Sequence, residues 1–314
     1  MSIVGLGMMG GAIAMAARRT GAAARIIGVA HNQNTVLQAK QSGVVDEATL
    51  DLRAGVSDAD LVVLCVPVRT ILDAAATLIP ACREGTVVTD ISSTKTVIVR
   101  EIEALIARTK AKVFFVGSHP LAGSERRGFD AAESVRLDSA TCVLTPTPHS
   151  DNEAYHKVDE FWRTLGLKTV RLTPDEHDGV LARSSHLPHL FAAALMNLQT
   201  SRSLEICGPG LRDMTRLAAS NPTMWTDIAE QNSVELAKGI RELGQEALRL
   251  AEDVELLAGH GAPQAEAARE RVFRFLADAK QRHEKRFEEP PETEKVADNP
   301  DQTTTPEESP PLLR

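Results

Sequence analysis

The first twenty residues constrain the fold of this chain most strongly. A short apolar strand pattern, Ser2–Val4, leads directly into Gly5-Leu6-Gly7-Met8-Met9-Gly10, and an alanine-rich helical pattern follows over residues 12–19. Glycines at this spacing allow a tight turn, a close approach of backbone to a pyrophosphate and close packing of helix on strand. The segment therefore predicts a dinucleotide-binding turn that opens an α/β sheet. The alternative is a glycine-rich turn without a ligand.

Apolar runs and helical patterns alternate through the first half of the chain, which is typical of βαβ units. The predicted strands cover residues 2–4, 26–29, 61–66, 86–90, 113–116, 141–145 and 168–171. The continuous apolar run Leu61–Val66 indicates a parallel strand covered on both faces. These patterns predict a Rossmann-type doubly wound parallel sheet.

Strand patterns stop at Pro174, and helical patterns continue to Phe287. We therefore predict a dinucleotide-binding domain over residues 1–172 and an all-helical substrate and dimerisation domain over residues 173–287. The long helices carry apolar faces and need a partner surface, which favours a homodimer. Residues 288–314 contain six prolines and eight acids, and they predict a disordered acidic tail.

Composition excludes several classes of function. The formal net charge is −8, of which the tail carries −6, so no basic footprint for nucleic acid is expected. The four cysteines are far apart, as free thiols are in a reducing compartment. Neither a signal peptide nor a membrane-spanning run is evident, which predicts a cytoplasmic protein.

The segment after the second strand bears on the choice of cofactor. NAD-binding folds commonly place an acid there to bond the ribose hydroxyls, whereas this chain reads Ala30-His31-Asn32-Gln33-Asn34. Without a carboxylate to repel a 2′-phosphate, and with His31 or Asn32 able to donate to it, the sequence favours NADP over NAD. The predicted cofactor-binding residues are Gly5, Leu6, Gly7, Met8, Met9, Gly10, His31, Asn32, Val66 and Pro67.

Two further segments follow predicted strands, where open α/β sheets place their reacting groups. His119, held by Pro120, is expected in a loop after the strand 113–116; the alternative is a turn whose histidine only bonds its neighbours. Residues 91–95 are expected to open a helix that Ser92 or Ser93 caps, although either hydroxyl, with Lys95, can also face a ligand crevice.

The helical half contains Ser184-Ser185-His186-Leu187-Pro188-His189. His186 and His189 lie three residues apart on a predicted helix, but no third ligand has suitable spacing, so no metal site is predicted. Polar contacts to a substrate, or core histidines bonded to backbone, are the favoured roles.

Five blocks in order resemble the prephenate/arogenate dehydrogenases of tyrosine biosynthesis. They are G-L-G-M-M-G, D-I-S-S-T-K, S-H-P-L-A-G-S-E, S-H-L-P-H and G-L-R-D-M-T-R-L-A-x-S-x-P-x-M-W. The resemblance implies oxidation of the ring alcohol of prephenate or arogenate with NAD(P)+, followed by loss of CO2.

Carried onto this chain, the resemblance assigns roles to single residues. It implies that His119 takes the hydroxyl proton and that Ser93 lies near the nicotinamide. It also implies that Arg216 grips a substrate carboxylate. His189 and Ser185 match substrate-side residues, and Glu125 matches an acid near the mouth of the site.

Two alternatives remain open from the sequence. One is another two-domain hydroxyacid dehydrogenase of the 6-phosphogluconate or 3-hydroxyacid type, which commonly relies on a lysine in its helical domain; no obvious equivalent stands here. The other is a non-catalytic NADP-binding sensor, against which the intact His119 and Arg216 argue.

Overall fold

The computed structural model describes residues 1–123, 126 and 128–287. The predicted substrate-side residue Glu125 and the predicted tail, residues 288–314, lie outside this part of the chain. The described residues form two compact units, one over residues 1–242 and the other within residues 243–314.

Eight strands form one sheet in the order β3-β2-β1-β4-β5-β6-β7-β8. The strands are β1 (Ser2–Val4), β2 (Ile27–Val29), β3 (Glu47–Thr49), β4 (Leu61–Leu64), β5 (Val87–Asp90), β6 (Phe114–Pro120), β7 (Thr141–Thr145) and β8 (Lys168–Arg171). Strands β1 to β6 are parallel, which confirms the predicted Rossmann-type sheet.

Strand β7 departs from the fully parallel prediction, because it runs antiparallel to β6 and parallel to β8. A parallel neighbour needs a crossover connection, usually a helix, whereas an antiparallel one does not. Among its described residues, the connection from β6 to β7 contains only a short 3₁₀ helix, Phe129–Ser134, which packs on the first helix of the chain, Met8–Thr20. Strand β3 was not predicted, since only Ala48 of its three residues is buried.

Helices cover both faces of the sheet. They are α1 (Met8–Thr20), α2 (Gln33–Gln41), α3 (Leu52–Val56), α4 (Ile71–Leu78), α5 (Thr96–Thr109) and α6 (Asn152–Thr164). One apolar cluster includes Ile13 of α1 and Trp162 of α6, and a second includes Leu78 of α4 and Ile102 of α5. All four residues of β4 are buried between these clusters, as its continuous apolar run predicts.

The chain is helical after β8. The helices are α7 (Pro174–Leu181), α8 (Leu187–Asn197), α9 (Ser201–Glu205), α10 (Pro209–Thr215), α11 (Pro222–Gln231), α12 (Ser233–Leu256) and α13 (Pro263–Phe287). None of the helices in the described residues is long and apolar enough to cross a membrane. The predicted domain boundary follows residue 172, whereas the compact units divide after residue 242.

Helix α7 begins and ends at local signals in the sequence. The Thr173 hydroxyl accepts from the N–H of Glu176 while the Glu176 carboxylate accepts from the N–H of Thr173, which is a capping box. At its other end, residues 182–186 form a π-helical turn in which the N–H of Leu187 reaches the carbonyl of Ala182. Pro188 follows immediately and has no N–H to donate, which removes one regular helical bond at this point. Such wide turns are frequent at functional sites.

Candidate active site

The glycine-rich turn between β1 and α1 has the shape that a pyrophosphate requires. Gly5 has φ +102°, and a Cβ there would lie 2.4 Å from the carbonyl oxygen of Cys65, while a Cβ on Gly10 would lie 2.1 Å from the carbonyl oxygen of Gly5. Only glycine fits at these two positions. A Cβ on Gly7 would meet no atom within 4 Å, so this glycine borders open space.

The N-terminus of α1 suits an anion. Gly7 is its N-cap, no side chain caps the helix, and its first turn contains no acid. A helix start of this kind attracts negative charge through its N–H groups and its dipole. The N–H of Leu6, by contrast, bonds to the carbonyl of Val29, and its buried side chain packs beside Gly28. The residues present therefore fit a dinucleotide, with Leu6 holding the turn in place.

The loop after β2 carries the residues expected to choose between NAD and NADP. The Asn32 side-chain oxygen accepts from the N–H of Thr35 at 2.9 Å and so caps α2, and its amide nitrogen lies 3.0 Å from Nε2 of the exposed His31. Asn32 is therefore committed to the start of α2, and His31 is the exposed side chain of the pair. Val66 and Pro67, also in the predicted cofactor set, directly follow Cys65 after the end of β4; Val66 is partly exposed and Pro67 is exposed.

His119 lies within β6 rather than in a loop, which corrects the prediction for residues 117–120. The strand extends to Pro120 because its second half pairs with β7, with His119 opposite Val143. The histidine is 9 % exposed. Since the first half of β6 is parallel to β5, His119 lies at the carboxyl edge of the parallel sheet, as Gly5 does at the end of β1.

A hydrogen-bonded chain runs from His119 into α7. Nδ1 of His119 is 2.9 Å from Nε2 of His177, and Nδ1 of His177 is 2.8 Å from Oδ1 of Asp178. His177 is fully buried and Asp178 is 3 % exposed. The two imidazole rings lie 5.1 Å apart between centroids. The sequence did not predict this chain of contacts.

Asp178 also caps α5, where a serine cap was predicted. Its two carboxylate oxygens accept from the N–H groups of Lys95 and Thr96, both at 2.8 Å. Helix α5 starts at Thr96 rather than at residue 91, and no side chain of its own caps it. The predicted capping role of Ser92 and Ser93 is therefore wrong, because a carboxylate from a distant helix already occupies the helix start. Ser93 is left partly exposed in the loop that precedes α5.

Beneath His119 lies a buried ion pair between Lys95 and Asp90, and neither side chain is exposed to solvent. The Asp90 carboxylate also accepts hydrogen bonds from the N–H groups of Ser118, at 3.1 Å, and Ser92, at 3.0 Å. Asp90 thus ties together the end of β5, the loop that carries Ser93 and the strand that carries His119. Removal of one partner of a buried pair costs about 3–5 kcal/mol, because the other charge is left uncompensated.

The site keeps its histidines neutral near pH 7. Burial, together with the neighbouring His177, Lys95 and His186, holds the pKa of His119 well below 6.5. Burial also lowers the pKa of His177, although the hydrogen bond to Asp178 offsets part of this effect. For Asp178, burial alone would raise the pKa, but the hydrogen bonds from His177 and Thr96 outweigh it and lower the pKa.

The substrate-side residues predicted in the helical half gather around His189. The ring of His189 stacks on Trp225 with 3.6 Å between centroids, and Nδ1 of His189 lies 3.1 Å from the carbonyl oxygen of Ser185. Arg216 is exposed, and its positive charge contributes to the lowered pKa of His189, whose main cause is burial. His189, Ser185 and Arg216 are therefore neighbours. Within the described residues, no group of three or more His, Cys, Asp or Glu side chains could hold a metal ion.

His186 lies deeper in the same half of the chain. Its Nδ1 is 3.2 Å from the side-chain amide of Asn232, which also donates to the backbone carbonyl of Asp178 at 2.8 Å. Burial lowers the pKa of His186 to about 4. His186 is a buried core histidine, but a side-chain amide rather than backbone bonds its Nδ1.

Two family models cover most of the chain. The model described as "Prephenate dehydrogenase, nucleotide-binding domain" matches residues 13–171, and the model described as "Prephenate dehydrogenase, dimerization domain" matches residues 173–275. The chain belongs to the prephenate dehydrogenase family. This assignment confirms the family resemblance drawn from the sequence blocks.

Two curated relatives resemble the chain over most of its length. Prephenate dehydrogenase of Bacillus subtilis is 33% identical over 238 residues, which are 73% of this chain and 63% of that protein. Cyclohexadienyl dehydrogenase of Zymomonas mobilis is 32% identical over 74% of this chain and 80% of that protein. The chain therefore matches less than two thirds of the length of the Bacillus relative.

Solved structures of the family have the same fold. Prephenate dehydrogenase from Aquifex aeolicus, in complex with hydroxyphenyl propionate and NAD+, superposes with a TM-score of 0.79 at 30% identity and covers 90% of this chain and 96% of that one. Arogenate dehydrogenase from Synechocystis gives a TM-score of 0.73 at 30% identity over 90% of this chain and 99% of that one.

We expect this family member to lose stability as the pH falls from about 8 to about 5. The pKa values of His119, His177 and His186 lie below 6.5 in the folded chain, so the unfolded chain binds protons first as the pH drops through 6.5. Each histidine that stays neutral should cost roughly 1 kcal/mol per pH unit below that point. Urea unfolding at several pH values measures the loss. A free energy of unfolding that is equal or higher at pH 5 would contradict it.

Proposed function

We propose that the chain is an NAD(P)-dependent dehydrogenase that oxidises and decarboxylates prephenate or arogenate. The observation that carries the proposal is a neutral, buried His119 at the carboxyl edge of a Rossmann-type sheet, in a chain of the prephenate dehydrogenase family. Oxidation of a ring alcohol needs a base for the hydroxyl proton, and a neutral imidazole is a suitable acceptor near pH 7. His119 takes this role.

The reaction removes a hydride from the ring carbon that bears the hydroxyl, and the proton of that hydroxyl passes to His119. The carbon–carboxylate bond then breaks, its electron pair enters the ring, and CO2 leaves as the ring becomes aromatic. The nicotinamide cofactor, when bound, accepts the hydride. The protein's main task is to align the reacting ring carbon with the nicotinamide, because aromatisation already favours the loss of CO2.

Substrate binding is assigned to the group around His189. Arg216 offers a permanent charge and a planar fork of donors to a carboxylate, while Ser185 and His189 offer polar contacts. Ser93, in the loop between Asp90 and α5, takes the place beside the nicotinamide and the reacting hydroxyl. Glu125 stays assigned to the mouth of the site by family resemblance alone.

NADP is the proposed cofactor in preference to NAD. The loop after β2 offers the exposed His31 and the amide of Asn32, and residues 30–34 include no acid to repel a 2′-phosphate. The pyrophosphate would lie on Gly7 and the first turn of α1, with Met8, Met9 and Gly10 forming that turn. Val66 and Pro67 border the cofactor at the end of β4.

We propose a homodimer built through the helical region, with the domain division after residue 172. The family model over residues 173–275 describes a dimerisation domain. Several apolar side chains in this region are strongly exposed in the single chain, among them Leu198 at 78 % and Ile206 at 75 %. Burial of such side chains favours association.

The direct test offers prephenate and arogenate, each with NAD+ and with NADP+, and follows absorbance of the reduced nicotinamide. We expect reduction with at least one pair, and faster reduction with NADP+ than with NAD+. Cofactor binding without turnover in all four mixtures would instead support the sensor alternative.

His119→Asn should lower kcat by about 10²–10⁴-fold, the usual contribution of a positioned general base, and should leave the Kd of the cofactor unchanged. Steady-state kinetics and a cofactor titration measure the two quantities. A kcat near the wild-type value would remove His119 from the chemistry.

Arg216→Ala should raise KM for the acid substrate by about 10- to 100-fold, since a hydrogen-bonded charge is lost, while kcat changes less. Arg212→Ala is a matched control, because Arg212 is an exposed arginine one helical turn earlier. Equal KM values for both variants would move the carboxylate site elsewhere.

A further inference from the structure

The contacts of His119 with α7 carry an inference beyond the choice of base. We infer that His177 and Asp178 are positioning residues that fix the tautomer of His119, so that its Nε2 is the atom that receives the substrate proton. The inference rests on the proposed function for its kinetic consequence only. Its geometric basis is the chain of two hydrogen bonds from His119 to Asp178.

Asp178 determines which atoms donate and which accept in the two hydrogen bonds that link it to His177 and His119. Asp178 accepts from the N–H groups of Lys95 and Thr96 at the start of α5, where helix N–H groups and the helix dipole favour a carboxylate. An ionised carboxylate only accepts hydrogen bonds. Nδ1 of His177, 2.8 Å from this carboxylate, must therefore carry the hydrogen.

The position of the hydrogen on His177 in turn determines its position on His119. A neutral imidazole has one N–H and one lone pair, so His177 with its hydrogen on Nδ1 presents a lone pair at Nε2. Nδ1 of His119 lies 2.9 Å from that atom and must donate to it. The lone pair of His119 is then on Nε2, the nitrogen that is not engaged by His177.

This arrangement also suits the charged state that forms during the reaction. When Nε2 of His119 takes up the proton, Nδ1–H continues to donate to His177, so no hydrogen bond has to break. The positive charge that develops is stabilised by a polarised chain that ends on the Asp178 carboxylate. Lys95 is paired with Asp90, although its charge still contributes to the lowered pKa of His119.

The other titratable groups near these hydrogen bonds do not compete with His177 for Nδ1 of His119. His186 is the third imidazole of the cluster, and it is held by Asn232 rather than by His119 or His177. The Cys142 thiol is also buried nearby, and burial raises its pKa, so it stays protonated. His177 is therefore the acceptor for Nδ1 of His119.

Two substitutions at His177 separate positioning from packing. His177→Leu fills much of the space but removes the acceptor, and kcat should fall about 10- to 100-fold, a part of what a general base contributes, with KM changed less than about threefold. His177→Gln keeps an oxygen that can accept from His119, and it should recover most of the kcat that His177→Leu loses. Leu78→Ala, a core truncation in α4, is the control for stability: it should lower Tm without lowering kcat at a temperature where the variant is folded.

The tautomer itself is read by ¹⁵N NMR of the full chain with labelled histidines, where the His119 signals are those lost in His119→Asn. In the wild type, Nδ1 should give a protonated signal and Nε2 a lone-pair signal, and His177→Leu should abolish this preference.

Hydrogen on Nε2 of His119 in the wild type, or full kcat in His177→Leu, would overturn the inference. The NMR result does not depend on turnover, so inactivity with all four substrate and cofactor pairs would refute the proposed function and leave the tautomer to be decided by the spectrum.

Discussion

The carboxylate of Asp178 is the contact on which the site depends most. A buried helix start has N–H groups without partners, and α5 has no cap of its own. Asp178 meets two of these groups from a helix 83 residues further along the chain. The same carboxylate orients His177, and through it His119. One side chain thus contacts the start of α5 and, through His177, is linked to His119.

The second constraint is the balance of charge in a buried place. Asp90 and Asp178 bring two carboxylates to the edge of the sheet, and Lys95 brings one ammonium group within the same cluster. An unpaired charge in buried surroundings raises the free energy of the folded state. Each of these three groups accordingly has a hydrogen-bonded partner. With these charges paired, the neutral form of the three buried histidines has the lowest free energy. A neutral imidazole is also the form that can accept a proton.

Several features of the site follow directly from local sequence. The glycine-rich turn can be predicted from the sequence because Gly5 and Gly10 occupy positions where a Cβ would collide with backbone. His119 stands out because it follows an apolar run at the edge of a sheet. The capping box at Thr173 marks the change from strands to helices. Such signals depend on neighbours within a few residues, and they suffice for the fold class and for singling out His119 as a candidate.

What the sequence alone determined, then, is the Rossmann-type sheet, the helical second half and the family to which the blocks belong. Only the tertiary structure decided that His119 lies in a strand, since β6 is extended by its pairing with the distant β7. Packing also decided which carboxylate caps α5 and which histidine faces His119, 58 residues away. Contacts between residues so far apart leave no periodicity or spacing in the chain, because they arise from how elements pack rather than from the elements themselves.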